Sequence, residues 1–365
     1  MSAQKRILVC PMDWGLGHAT RVVPIIRLLQ QAGAEPVLGA DNKPLAFLRQ
    51  QFPDTDRIRI PGFEPEYQKR GSLSVKMATA IPQMLKDATA AHELLEKIIE
   101  KNKIDAVISD NRYELWSEKV PSIFMTHQLN ILLPGILSSG RPVIRKMINR
   151  FIVRHNELWI PDFEDKPNLS GKLSHIKKMP LKNSFFIGPL SRFEGAKTTR
   201  QQTVKEKTDV LCLLSGPEPQ RTIFEEILIS QLKKSKLKSV LLSGKPDEKG
   251  KRLLGNLEIR PHAGDEEMLS LMQSAKTIIC RSGFSSLMDM VSLGKKAIFI
   301  PTPGQPEQEY LARKLKSQTL FYSCSQKTFS LQEALQESEK YSGLHLTNDY
   351  KILRARIEAL IKSCG

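Results

Sequence analysis

Two short stretches carry residues whose types and spacing suit proton transfer and the binding of a phosphorylated ligand. The first is MDWGLGHATR, Met12 to Arg21. Gly15 and Gly17 make a flexible loop leading from a strand toward a helix, and His18 stands at its end. An imidazole titrates near neutral pH, so His18 can take a proton from an attacking hydroxyl. Asp13, in the same loop, is a candidate to orient it. A histidine at a helix start serves equally as a cap or packing residue, and a bare Gly-x-Gly lacks the third glycine of a dinucleotide loop. The second stretch runs from Cys280 through the helix after it. Gly283 lets backbone approach a ligand closely, and Ser285 and Ser286 open a helix whose N–H groups and positive dipole end suit a phosphate oxygen. Asp289, one turn on, can accept hydrogen bonds from ribose hydroxyls. Ser286 and Asp289 would also make a capping box, which needs no ligand. At the next turn, Pro301 to Gly304 is followed by Gln305, Glu307, Gln308 and Glu309, amides and carboxylates able to read sugar hydroxyls.

The elements that must position these groups follow from periodicity. Leu257 to Ile259, Thr277 to Cys280 and Ala297 to Pro301 are short apolar or β-branched runs. Helical patterns through Met268 to Met272, Ser285 to Leu293, and Leu311 and Leu315 separate or follow them. This alternation predicts a parallel, doubly wound sheet, in which ligands sit at the carboxyl ends of the strands. The amino-terminal part has the same rhythm: strands at Lys5 to Pro11, Glu35 to Ala40, Arg57 to Ile60, Asp105 to Ser109 and Ser122 to Met125, and helices at Arg21 to Gln31, Pro44 to Gln51 and Ala78 to Lys103. Asp110, Asn111 and Arg112 leave one strand and Thr126, His127 and Gln128 another. Asp110 is thus a second candidate carboxylate, although an Asx-type turn would also place an aspartate there. Arg112 and His127, with Gly15 and Gly17, are expected to face the same ligand crevice. The proline- and glycine-rich run from Pro61 reads as a loop, with Tyr67, Lys69 and Arg70 available to an anion. Leu158 to Pro161 and Phe185 to Ile187 close the first domain, and Gly188 to Lys207 loses apolar periodicity. The expected organisation is a domain over 1–190, a linker over 191–207, a second domain over 208–345, and a final helix within 346–365. In the second domain, SGPEPQR follows a strand at Asp209 to Leu214, with Gly216 in its turn and Arg221 able to neutralise phosphate charge or simply to begin a helix.

Composition narrows the partners. Lys and Arg number 55 against 39 Asp and Glu, a net charge of +16, which favours an anionic ligand or surface. Aromatic residues are only 6% and do not cluster beside the basic runs, so a nucleic-acid binder is not expected. Five scattered cysteines form no CxxC pair, and no metal-ligand cluster is visible. No apolar signal segment or spanning run is present, so the protein is expected in the cytoplasm, on the inner face of the cell membrane if it meets one. One segment invites that contact. In 131–155 a leucine-rich loop precedes a helix interleaving isoleucines and Phe151 with arginines and lysines, a pattern suited to an anionic membrane interface or to packing on the sheet.

The string CRSGFSSLMDMVSLGKKAIFIPTPGQPEQEYLARKL, from Cys280 to Leu315, resembles the carboxyl-terminal half of the family 28 glycosyltransferases, the MurG-like enzymes, and the GLGHATR loop is similar to their amino-terminal loop. The resemblance implies a GT-B fold, an α/β architecture of two Rossmann-like doubly wound domains with a cleft between them. It implies a metal-independent UDP-sugar hexosyltransferase with no cofactor beyond its co-substrate, His18 as base, and an acceptor that is polyprenyl-linked or another small molecule. The family holds its UDP-sugar with a serine-arginine-glycine turn, matched by Arg281, Ser282 and Gly283; an acidic residue one turn later, here Asp289 for the usual glutamate; and a glutamine pair, here Gln308 and Glu309. Gly216 matches its diphosphate loop. These departures leave the donor sugar open. A UDP-sugar 2-epimerase and a non-catalytic sugar-nucleotide or lipid-binding subunit share the expected fold.

Overall fold

Apolar runs bounded by glycine and proline form the strands of two separate sheets. The computed structural model describes residues 4–13, 15–62, 90–133, 139–194, 207–245 and 248–364. The readings made for Tyr67, Lys69, Arg70, the first part of the helix at Ala78 to Lys103, the loop at 134–138 and most of the linker lie outside those residues. Two compact units result: one takes the described chain up to Arg192 and regains it at Asn348–Gly365, and the other takes Phe193–Thr347.

In the first unit, β1 (Arg6–Pro11), β2 (Glu35–Ala40), β3 (Arg57–Arg59), β4 (Ala106–Asp110), β5 (Ser122–Met125), β6 (Glu157–Ile160) and β7 (Ser184–Phe186) make one sheet. Its order is β3-β2-β1-β4-β5-β6-β7, and every pairing is parallel. The chain winds one way from β1 to β2 and the other way from β1 to β4, so the switch point opens at the carboxyl ends of β1 and β4. Helix α1 (Leu16–Gln31) buries Val22, Ile25, Ile26 and Leu29 as its spacing requires. It begins well before Arg21, because Gly15, with φ 78°, turns the chain directly into it. Helix α2 (Asn42–Gln51) is capped by the Asp41 carboxylate, which accepts from the Asn42 N–H at 2.8 Å. The helix described over 90–102, α3, packs Leu95, Ile98 and Ile99 with Leu8, Val37 and Val107. Helix α4 (Arg141–Ile152) buries Ile148 and Ile152, with Ile144 and Phe151 packed beside them. Its apolar stripe is therefore used by the core, as the packing alternative requires. The last helix, α10 (Lys351–Ser363), belongs to this unit, where Arg354 donates to Gln31 at 3.0 Å and Lys5 to the Cys364 carbonyl at 2.8 Å.

The second unit repeats the plan with β8 (Thr208–Leu213), β9 (Ser239–Leu242), β10 (Arg252–Leu254), β11 (Leu257–Arg260), β12 (Ala275–Cys280), β13 (Ala297–Phe299) and β14 (Tyr322–Ser323). Its order is β10-β11-β9-β8-β12-β13-β14, with the switch point between β8 and β12. Helices α5 (Gln220–Leu232), α6 (Asp265–Ser274), α7 (Phe284–Ser292), α8 (Pro306–Ser317) and α9 (Leu331–Ser338) connect or cover these strands. Two details depart from the sequence pattern. β10 is antiparallel to β11 across the Gly255–Asn256 turn, and because all three of its residues are exposed it leaves no apolar signal. β13 ends at Phe299, ahead of Pro301, which has no N–H to continue a ladder. All five cysteines are free, and burial pushes the Cys10 and Cys280 thiols up to about 12. Among the described residues, no helix is long and apolar enough to cross a membrane.

One buried histidine has a measurable consequence. His155 lies against Phe124 with ring centroids 5.1 Å apart, donates from Nδ1 to the Phe151 carbonyl at 3.1 Å, and leaves Nε2 buried without a hydrogen-bond partner. Burial lowers its pKa from 6.5 to about 4. The unfolded chain takes up that proton near pH 6.5 while the folded chain resists it, so stability is full above 6.5 and declines as pH falls toward 4. The loss at this site is expected to be on the order of 3 kcal/mol. His155→Phe should flatten the decline in urea unfolding measured at pH 7 and pH 4.5; equal declines in both proteins would contradict this account.

Candidate active site

At the switch point of the first unit, α1 presents His18 and Arg21 three residues apart on one face, and β4 ends in Asp110. The His18 Nδ1 donates to Asp110 Oδ2 at 3.0 Å. Arg21 donates from Nε to the same oxygen at 2.7 Å and from Nη2 to Oδ1, a two-pronged fork on a carboxylate with no exposure. The Arg21 Nη1 lies 2.9 Å from Nδ1 of His127, which leaves β5 and is buried. Arginine can only donate, so His127 accepts there. The sheet register is what brings these groups together, since β1 pairs with β4 and β4 with β5.

The electrostatics follow from this geometry. Burial alone would raise the Asp110 pKa, but the Arg21 and His18 contacts outweigh it and hold the carboxyl at about 2. Burial lowers the pKa of His18, and the Arg21 charge lowers it further against the opposing pull of Asp110. His18 is thus a neutral imidazole near pH 7, its Nδ1–H fixed on Asp110. Its Nε2 has no hydrogen-bond partner among the described residues, and its side chain is 17% exposed. An imidazole held this way is built to accept a proton at Nε2, with Asp110 stabilising the cation that results. Arg21 has no role in the sequence reading; its signal is the i, i+3 spacing from His18, which a helix starting at Leu16 turns into proximity.

Asp13 and Arg112 take a different place. Arg112 donates to Asp13 Oδ2 at 3.1 Å, to the Pro61 carbonyl at 2.8 Å and to Glu114. Asp13 Oδ1 accepts from the Asp41 backbone N–H at 3.2 Å. Burial raises the Asp13 pKa, and Arg112 counters it. The pair ties the turn after β1 to the segment after β3, and among the described residues no hydrogen bond or ion pair joins Asp13 to His18. Gly62 permits this closeness, since a Cβ there would stand 1.9 Å from Asp13 Oδ2.

In the second unit the predicted donor residues gather at the carboxyl ends of β8, β12 and β13. Gly216, with φ 101°, makes the turn after β8, and a Cβ there would lie 3.5 Å from the Thr302 hydroxyl. Thr302 is buried and its Oγ1 has no hydrogen-bond partner. Gly283 caps α7 with open space where a side chain would be, so the positive end of that helix can be approached. Because α7 begins at Phe284 without a side-chain cap, Ser286 lies inside its first turn, and the capping box with Asp289 does not form. Ser285 and Ser286 are half-buried beside this end, and Asp289 is one turn further along.

Five residues here brace the loops. The Arg281 guanidinium, lying 4.4 Å from the centroid of the Phe224 ring, donates to the carbonyls of Ile300 at 3.2 Å and Gln220 at 2.9 Å. Burial lowers its pKa to about 10, and its Nε has no partner. Arg221 is held by Glu218 and Glu225 and by the Ser243 carbonyl at 3.0 Å, so a phosphate would compete with two carboxylates for it. Gln308 accepts from the Thr302 N–H at 2.9 Å, and Glu309 from the Gly304 N–H at 3.1 Å, fixing the turn after β13. Ser282 donates to the Gln308 carbonyl at 2.8 Å. Among the described residues no group of three or more His, Cys, Asp or Glu is arranged to hold a metal ion.

Known proteins resemble this chain in fold and in part of its sequence. Residues 215–351 match the glycosyltransferase family 28 C-terminal domain. An uncharacterized glycosyltransferase of Methanosarcina acetivorans is 24% identical over 322 residues, covering 83% of this chain and 81% of its own. Among solved structures, the glycosyltransferase SnogD from Streptomyces nogalater superposes with a TM-score of 0.57 at 13% identity, covering 99% of this chain and 95% of its own. Acinetobacter baumannii MurG does so with a TM-score of 0.56 at 14% identity, covering 98% and 99%. The second unit thus carries a glycosyltransferase family 28 C-terminal domain, and the chain has the two-sheet α/β fold of the GT-B glycosyltransferases.

Proposed function

We propose that the protein transfers a hexose or N-acetylhexosamine from a UDP-sugar to an acceptor hydroxyl, the acceptor being polyprenyl-linked or another small molecule. The observation that carries this reading is the His18–Asp110 contact at the end of a glycine loop, with Nε2 left to accept a proton. In the reaction, the acceptor oxygen bonds to the anomeric carbon as the bond from that carbon to the UDP oxygen breaks. The acceptor proton passes to His18 Nε2, and UDP leaves as an anion. The amino end of α7 meets the charge growing on the diphosphate, so in this reading the helix supplies what a divalent cation supplies elsewhere. Asp289 holds the ribose, and Gln308 and Glu309, already fixed on the turn after β13, face the sugar hydroxyls with what remains of their hydrogen-bonding capacity.

Calorimetric titration with UDP, UDP-N-acetylglucosamine and UDP-glucose in the presence of a chelator tests the donor assignment. Micromolar binding is expected, and Asp289→Ala should weaken it roughly tenfold or more, the value of a hydrogen bond to a charged group. Absence of binding to every uridine nucleotide would remove the reading.

A further inference from the structure

Thr302, on the turn after β13, is 1% exposed, and its Oγ1 has no hydrogen-bond partner among the described residues. The backbone of this residue is committed on both sides. Its N–H donates to Gln308 Oε1 at 2.9 Å, and its carbonyl accepts from the Gln305 N–H at 3.1 Å. The turn is therefore held without the hydroxyl. A buried hydroxyl left unpaired has given up its hydration with no hydrogen bond in return, so threonine here destabilises the free protein relative to valine, which has the same shape.

The surroundings of the hydroxyl decide what it can meet. Gly216, at φ 101°, turns the chain after β8 with its bare side toward Thr302, where a Cβ would stand 3.5 Å from Oγ1. Gln308 ties Thr302 to the start of α7, because its backbone carbonyl accepts from Ser282 Oγ at 2.8 Å while its side chain holds the Thr302 N–H. Ser282 stands two residues before Phe284, where α7 begins without a side-chain cap and with open space beside Gly283. The hydroxyl thus belongs to one hydrogen-bonded array with a helix end whose positive dipole attracts an anion. Both arginines of this site are already engaged, Arg221 by Glu218 and Glu225 and Arg281 by backbone carbonyls, which leaves more of an anion's charge to uncharged donors. We propose that Thr302 Oγ1 donates to a phosphate oxygen of a ligand seated at the amino end of α7 and, resting on the transferase reading, that this phosphate belongs to the donor nucleotide. The hydroxyl lowers the stability of the free protein and gains its hydrogen bond when the nucleotide binds.

The test compares the full-length protein with Thr302→Val, which keeps the shape and removes the hydroxyl, and with Thr302→Ser, which keeps the hydroxyl. Pyrophosphate, UDP, UDP-N-acetylglucosamine and uridine are titrated by calorimetry, and melting temperatures are taken without ligand. The valine variant should bind UDP and pyrophosphate about tenfold more weakly, the value of a hydrogen bond to a charged group. Its affinity for uridine, which has no phosphate, should be that of the wild type, and its melting temperature should be no lower. The serine variant should bind all four as the wild type does. Equal UDP and pyrophosphate affinity in the wild type and the valine variant overturns the proposal, as does a serine variant as weak as the valine one. Equal weakening of uridine and UDP, or a lower melting temperature in the valine variant, would mark a hydroxyl that supports the turn instead of a phosphate. Weakening confined to UDP-N-acetylglucosamine would place the hydroxyl at the sugar and overturn the phosphate contact. The two readings separate cleanly: pyrophosphate binding that depends on Thr302, with no binding of UDP, removes the transferase reading and leaves the phosphate contact standing, and UDP binding indifferent to Thr302 does the reverse.

Discussion

Alanine at His18 is expected to lower turnover by about 10²–10⁴-fold, the usual contribution of a general base, while leaving UDP-sugar affinity unchanged. The reason is positional: Nδ1 is committed to Asp110, so Nε2 is the ring nitrogen left to take the acceptor proton. The wild-type pH profile should show the same group. Burial and Arg21 lower the His18 pKa, so kcat/KM should be on its plateau at pH 7 and fall on an acid limb below the ordinary histidine value of 6.5. In the alanine variant that limb should be absent. Turnover close to that of the wild type would show that another group takes the proton.

The second large effect concerns stability and proton affinity together. Arg21→Met removes the fork from a carboxylate that is fully buried. Breaking one side of a buried ion pair costs about 3–5 kcal/mol, because the remaining charge has lost its compensation. Guanidinium unfolding should register that loss. With Arg21 gone, the guanidinium that disfavours a charged imidazole is absent while the Asp110 carboxylate remains, so the His18 pKa should rise, which NMR titration of the imidazole would detect. Arg21→Lys, retaining the charge, serves where the methionine variant does not fold. For Asp110 the acid behaviour has a defined sign: its folded pKa of about 2 lies below the ordinary aspartate value of 3.8. The stabilisation is present above 3.8 and lost as pH falls toward 2, amounting to about 2 kcal/mol. If the methionine variant keeps wild-type stability and an unchanged His18 titration, Arg21 is not the residue that holds this site.

Local pattern carries a good deal of this protein. β2 and β5 fall where periodicity places them, since each is a short apolar run bounded by turn residues. The donor turns are legible for a similar reason: glycine, serine and proline at a strand exit are a backbone requirement written in adjacent residues. What has no local signature is lost, as at β10, whose exposed residues leave no alternation to read. Capping is intermediate, because Ser286 and Asp289 have the right types and spacing but the helix starts three residues too early for them to form a box.

The charge pairs belong to the tertiary structure. Asp13 and Asp110 both follow strands and look alike as candidates, yet one pairs with Arg112 and the other with Arg21 and His18. Arg21 and Asp110 are separated by 89 residues and Arg21 and His127 by 106, distances over which residue type says nothing about contact. Only the β2-β1-β4-β5 order puts the ends of these strands side by side. The same holds for Arg221, which reads as a phosphate ligand by type, and for Arg281, which the family resemblance places in the donor turn; both are turned inward by carbonyls and carboxylates that only folding supplies. Period and turn chemistry act over a few residues and so determine elements; burial and ion pairing act through space, and so the fold alone decides which candidate charge is left to meet a ligand.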